Sequence, residues 1–141
     1  MEIFQRLLCL LINLLILMLP KWESELKRCK KYLAPVFKKF DTYNWSDVVE
    51  NVRQGRWYLL TLPNSALLIE FLEYPRKRVL YVLAAGGKLE EILKTESDVI
   101  SIAKAKDCSS IEVRGRLGFE KIAKKHKGWE KQYTVIRKEL T

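Results

Sequence analysis

The stretch RWYLLTLPNSALLIEFLEYPRKRVLYVLAAGG, Arg56–Gly87, decides the fold. It holds three runs of aromatic, β-branched and aliphatic residues, Trp57 to Leu62, Ala66 to Tyr74 and Val79 to Ala84. Pro63-Asn64 separates the first two runs and Pro75-Arg76-Lys77 the second pair. Proline presets φ and removes a donor, and asparagine bonds its own backbone, so both segments read as turns. Short apolar runs punctuated this way read as strands, and two such hairpins in series predict an antiparallel meander. Gly86-Gly87 is expected to stop the third strand.

Outward from the meander the apolar period changes from two to three and four. Upstream, Trp22, Leu26, Cys29, Leu33, Val36 and Phe40 recur at helical steps with lysines between them, which predicts an amphipathic helix over 22–40. Pro35 is expected to kink or split it. Asn44-Trp45-Ser46-Asp47 supplies capping residues for a short helix over 46–54, with Gly55 as its stop. Downstream, Leu89, Ile92, Leu93, Val99, Ile102 and Ala103 predict a helix over 88–106. A strand over 110–114, a basic helix over 118–127 and a last strand over 129–140 follow; Tyr133, Val135 and Arg137 share one face of that last strand. Helix, helix, three antiparallel strands, helix, strand, helix, strand is an α+β order: a mixed sheet with helices on both faces.

Composition narrows the classes. With 48% apolar and 30% charged residues the chain is neither disordered nor collagen-like. Three cysteines without a CxxC pair, and one histidine, exclude a Cys/His zinc site and a disulfide framework. The net charge of +9 suits an anionic partner, whether nucleic acid, a phosphate-bearing cofactor or an acidic lipid surface. The charge is concentrated: residues 114–141 carry nine positive against three negative side chains. No motif of a DNA or RNA reader accompanies it.

The chain starts with an apolar run, LLCLLINLLILML from Leu7 to Leu19. As a helix it spans about 20 Å, against about 30 Å of bilayer hydrocarbon. Glu2 offsets Arg6, and Met18-Leu19-Pro20 is no small-residue cleavage site, so it does not read as a signal peptide. Three readings stay open: a short membrane anchor through residues 3–19, a sticky helix for a partner, or an extension outside the domain. The chain accordingly divides into an apolar N-terminal helix or extension over 1–20 and a domain over 21–141.

The element order resembles the GNAT N-acetyltransferase superfamily, and several strings are similar to small GNAT-like proteins of tailed phages and prophages. These strings are DVVENVRQG (Asp47–Gly55), EYPRK (Glu73–Lys77), VLAAGG (Val82–Gly87), AKAKDC (Ala103–Cys108) and IEVRGRLGF (Ile111–Phe119). The last resembles that group's GR-x-G-aromatic signature. The likeness covers about residues 30–140 and leaves out the apolar start.

The resemblance implies acetyl-CoA as cofactor and acyl transfer to an amine. It places the cofactor where the central strand meets the long helix, at Leu83, Ala84, Gly86, Gly87 and Lys88, with pyrophosphate on the helix N-terminus. Two departures point to a variant or degenerate site. The family's longer Gln/Arg-x-x-Gly-x-Gly/Ala loop is absent. The tyrosine acid four residues before a Gly-aromatic pair is replaced by Lys124, ahead of Gly128-Trp129.

Candidates for a base are Glu70, Glu73 and Glu112. His126, in a Lys-Lys-His-Lys run, reads as a helix-end surface residue, and Cys108 as a packing residue. Arg114 and Arg116, flanking Gly115, are candidates to bind CoA phosphates, a peptide carboxylate or nucleic acid through forked donors. Two non-enzymatic alternatives accompany the acyltransferase: a structural or interaction protein of phage assembly, partnered by a phage or host protein, and a membrane-tethered basic domain. Either places the protein in a bacterial host's cytoplasm, at its membrane or in the virion.

Overall fold

The computed structural model describes residues 2–17, 21–115 and 118–140, with the side chains of Cys9 and residues 12–17 left aside. The helices are α1 (Glu2–Leu17), α2 (Trp22–Phe40), α3 (Trp45–Arg53), α4 (Leu89–Lys94), α5 (Glu96–Ala105) and α6 (Phe119–Ala123). The strands are β1 (Tyr58–Leu62), β2 (Ser65–Glu73), β3 (Arg78–Gly87) and β4 (Ser110–Val113). They form one mixed sheet in the order β1-β2-β3-β4. β1, β2 and β3 are the expected antiparallel meander, and β4 adds parallel to β3 after the α4–α5 crossover.

Alternation along the strands feeds two apolar layers. On one face Leu26, Cys29, Leu33 and Phe37 of α2 pack over Leu59, Ala66, Leu68, Leu83 and Ala84, with Val48 of α3 beside them. On the other, Val99, Ile102 and Ala103 of α5 pack over Leu67, Ile69, Leu80 and Val82. Leu10 of α1 joins this second layer, and Arg6 reaches Ser97 Oγ at 3.2 Å and Asp98 at 3.6 Å. Ile3, Phe4 and Leu8 of α1 stay exposed. Among the described residues no helix is long and apolar enough to cross a membrane.

α2 runs unbroken through Pro35 rather than splitting there. The residues on either side of the proline, Leu33, Val36 and Phe37, are all buried against the sheet. That packing outweighs the roughly 3 kcal/mol a helix-interior proline costs. α3 starts on a full capping box: Asn44 Oδ1 accepts from the Asp47 N–H and Asp47 Oδ2 from the Asn44 N–H, both at 3.0 Å.

Four further expectations need correction. The helix expected over 88–106 divides at Thr95, whose hydroxyl donates to the Ile92 carbonyl at 2.6 Å while its N–H bonds the same oxygen at 3.1 Å. Side-chain back-bonding and an i→i−3 backbone bond tighten that turn and break the regular ladder. β3 does not stop before the glycines but continues through Gly87, paired with Ser65. The basic helix is only Phe119–Ala123. No strand forms over 129–140, where Tyr133, Val135, Ile136 and Leu140 are exposed. Their alternation has no sheet face to cover. The segment is held instead by isolated polar ties, among them Tyr133 Oη to Glu112 at 3.2 Å and Arg137 to the Phe40 carbonyl at 3.3 Å.

Candidate functional site

The sheet opens between β3 and β4. Their parallel register runs from Val79↔Ser110 to Val82↔Val113 and ends there, closed by the Arg114 N–H donating to the Val82 carbonyl at 3.2 Å. β3 continues to Gly87 while β4 does not. At the same point the β2–β3 register slips: Leu68 faces Ala84 and Ile69 faces Val82, leaving Leu83 without a partner. Leu83 is therefore the extra residue of a β-bulge, and it and Ala84 both pack into the α2 layer. A bulge bends its strand and increases the local twist, which carries β3 away from the end of β4.

A cavity of about 600 Å³ occupies the resulting split, within the size range of small-molecule sites. Leu67, Val82 and Ala85 form its floor, Ile111 and Val113 one wall, and Ile92 and Val99 the other. Phe119 and Ile122 of α6 cover it, and it reaches through the sheet to Val36, Lys39 and Phe40 of α2.

Polar groups sit at its edges. Glu96, the first residue of α5, accepts from Trp129 Nε1 at 2.8 Å, and its second oxygen lies 3.4 Å from His126 Nδ1. All three residues line the cavity. Arg114 places its guanidinium carbon 3.8 Å from the Phe40 ring centroid, a cation–π contact at the α2 end. On the α2 face the register aligns Glu70 with Tyr81 and Tyr81 with Glu112. Paired residues on neighbouring strands point to the same side, so the three form a polar row. Burial pushes the Tyr81 phenol up, and the Arg114 guanidinium beside it opposes the rise.

Burial also raises the Glu70 carboxyl above its usual range, with the Trp57 indole and Arg56 pulling the other way. The folded state then holds this proton more tightly than the unfolded chain does. Stability accordingly falls as pH rises from the ordinary carboxyl range through the raised folded value. Glu70→Gln should therefore raise Tm at pH 7 and leave it nearly unchanged at pH 3.5. Partial solvent exposure limits the gain to under about 1 kcal/mol. Thermal melts of both proteins at the two pH values check it.

Gly86 and Gly87, expected to hold pyrophosphate, line the cavity and also serve the fold. A Cβ on Gly86 would lie 1.9 Å from the Tyr32 carbonyl oxygen, and one on Gly87 2.2 Å from that of Asn64. Gly87 also has φ +111°. Gly86 thus lets β3 touch the α2 backbone, and Gly87 lets it touch the β1–β2 turn. Lys88 caps α4 in extended conformation and donates its N–H to the Asn64 carbonyl at 3.1 Å. Glu90 and Glu91 fill the first turn of α4, where carboxylates themselves complement the helix dipole. The Glu91 carboxylate takes the Ser65 hydroxyl at 2.7 Å and the Asn64 N–H at 3.0 Å, and those hydrogen bonds, the Ser65 one first, hold it below the usual range.

Of the other candidates, Arg114 lines the cavity, whereas Arg116 lies outside the described residues. Glu73 is exposed at the far end of β2 and pairs with Arg78. Lys124 is exposed just after α6. Burial raises the Cys108 thiol, which suits packing rather than nucleophilic work. His126 is more than a helix-end residue, since it faces Glu96 at the cavity. Glu96, Trp129 and Lys39 had no local signal in the sequence, because each acquires its neighbours only through the crossover. Among the described residues no group of three His, Cys, Asp or Glu side chains could hold a metal ion.

No family model and no curated protein matches the chain. Solved structures do match its fold. A probable acetyltransferase is similar at 10% identity over 82% of this chain and 94% of its own, with TM-score 0.60. A possible acetyltransferase from Clostridium difficile 630 is similar at 10% identity over 84% and 93%, with TM-score 0.56. An aminoglycoside acetyltransferase from an uncultured soil metagenomic sample, solved in complex with sisomicin, is similar at 14% identity over 86% and 90%, with TM-score 0.52. The α+β fold is GNAT-like.

Proposed function

We propose that this chain is an acyl-CoA-dependent N-acyltransferase with a variant site, its acyl thioester lying in the split between β3 and β4. One observation carries the reading: the parallel pairing ends at Val82 and Val113, beside the Leu83 bulge, where a cavity of about 600 Å³ opens through the sheet. The apolar floor and walls fit the extended arm of an acyl thioester. The thioester supplies an activated acyl carbonyl.

The chain's residues then act on the two reactants from opposite faces. The bulge keeps the Leu83 main chain out of the β2 ladder, which leaves backbone dipoles to orient the carbonyl. Glu112, one residue from the last paired position, takes the amine's proton from the α2 face. Among the described residues Lys39 and Arg114 are the lysine and arginine that line the cavity, and they are the candidates to meet phosphate. Gly86 and Gly87 line the cavity but pack tightly against Tyr32 and Asn64, and the first turn of α4 is acidic, so the strand–helix junction differs from the family's loop.

The strings at 103–108 and 111–119 support a place among tailed-phage or prophage proteins, acting in a bacterial host's cytoplasm. A second reading, a phage interaction protein that kept the fold without the chemistry, is favoured by Lys124 standing where the tyrosine acid belongs and by Glu90 and Glu91 in the helix's first turn.

Thermal shift with acetyl-CoA on the full chain separates the two. Ligand at a hundred times Kd adds about 2.7 kcal/mol, which for a chain of this size raises Tm by roughly 5–15 °C. Acetate and free adenosine should give no shift. A flat response at millimolar acetyl-CoA rejects the acyltransferase and leaves the interaction protein.

A further inference from the structure

We infer that His126 is the general acid of this site, protonating the departing thiolate, and that Glu96 and Trp129 are its positioning residues. The inference rests on the acyl-thioester reading above. Among the described residues four titratable side chains line the cavity: Lys39, Glu96, Arg114 and His126. Arginine stays protonated at any working pH. One oxygen of Glu96 accepts from the Trp129 indole N–H at 2.8 Å, and the other lies 3.4 Å from His126 Nδ1. Lys39 lies in the last turn of α2, at the opposite end of the cavity from α5.

Imidazole is the side chain suited to giving and regaining a proton near neutrality. The Glu96 carboxylate lies beside it. Nδ1 is the ring nitrogen beside Glu96, at 3.4 Å, and Nε2 is the nitrogen we assign to proton exchange with the cavity. The indole N–H pins the other oxygen, so the carboxylate cannot turn away. The place is meaningful as well: the tyrosine position is taken by exposed Lys124, and His126 follows two residues later with its ring at the cavity.

The step balances without another reactant. The amine nitrogen bonds to the carbonyl carbon as the C–S bond breaks, and sulfur keeps the bonding pair. The amine's proton passes to the Glu112 carboxylate, and the Nε2 proton of the imidazolium passes to sulfur. Amide, free thiol and neutral imidazole result, and exchange with water returns both side chains to their starting protonation.

His126 is the chain's one histidine, so ring-nitrogen NMR reads it without ambiguity. In the neutral form the wild type should show Nδ1 protonated and Nε2 bare, and Glu96→Gln should shift the population toward the Nε2–H tautomer. Acetyl-CoA should move the Nε2 resonance, and adenosine 3′,5′-bisphosphate should not. His126→Gln should lower thiol release from acetyl-CoA, with hydroxylamine as the amine probe, by about 100-fold. Its acetyl-CoA thermal shift should match the wild type's.

A wild-type Nε2–H tautomer, an Nε2 resonance indifferent to acetyl-CoA, or equal thiol release by His126→Gln in a protein that binds acetyl-CoA overturns the inference alone. No acetyl-CoA binding, or no thiol release, by the wild type overturns it together with the acyltransferase reading.

Discussion

Gly86→Ala is expected to destabilise the protein by about 3 kcal/mol or more, a loss of roughly 10 °C in Tm. The added Cβ would sit 1.9 Å from the Tyr32 carbonyl oxygen and 2.8 Å from its carbon. Both atoms are backbone in the middle of α2, so no side chain can swing aside. Relief requires α2 to lift from β3, and α2 carries Leu26, Cys29, Leu33 and Phe37 into the larger apolar layer. Gly55→Ala is the control. There φ is +72° but nothing lies within 4 Å, so the cost is backbone conformation alone, about 1 kcal/mol. Denaturant midpoints of the two variants compare them directly. If Gly86→Ala costs no more than Gly55→Ala, the close approach to Tyr32 does not hold the layer together. The pair also tests the role of the Gly-Gly string. A phosphate cradle predicts lost acetyl-CoA binding with stability kept, whereas close packing predicts lost stability with binding kept in the molecules that remain folded.

That string illustrates how far the sequence could be read. The meander was legible because Arg56–Gly87 carries its own punctuation, and the structure pairs all three runs within a residue of the expected ends except at the end of β3, which runs three residues further to Gly87. The glycines were legible as a breaker but not as a strand end in contact with α2, since Tyr32 lies more than fifty positions upstream. The bulge at Leu83 was hidden for a similar reason. Leu83-Ala84-Ala85 is uniformly apolar, and no alternation shows which residue is extra until β2 fixes the register. Thr95 looked like any helix residue, because its back-bond to Ile92 competes with the ladder only locally.

The last strand failed in the opposite direction. Its alternation from Trp129 to Leu140 is real, yet a period-2 pattern makes a strand only where a neighbouring edge and a buried face exist. The Glu96–His126–Trp129 cluster had no pattern at all: its partners are 30 or more positions apart and meet only once the crossover and α6 are in place.

Ala85→Trp should abolish acetyl-CoA binding, by at least about 100-fold, while leaving the fold intact. Ala85 stands on the cavity floor opposite Leu67, on the α5 face of β3, and is only partly buried. An indole there projects into the open volume of about 600 Å³ instead of into packed atoms. Tryptophan suits a strand position, and filling a void restores dispersion contacts that its lining otherwise lacks. Tm of the ligand-free variant should therefore stay within a few degrees of the wild type or rise. The thioester arm and the indole compete for the same volume, so the stabilisation by acetyl-CoA should vanish. This separates three substitutions that a single activity assay would confuse. Gly86→Ala loses the fold, His126→Gln keeps fold and binding but loses turnover, and Ala85→Trp keeps the fold and loses binding. A full acetyl-CoA shift in Ala85→Trp would place the ligand somewhere other than the split between β3 and β4, and with it would go the argument that the Leu83 bulge exists to open that split.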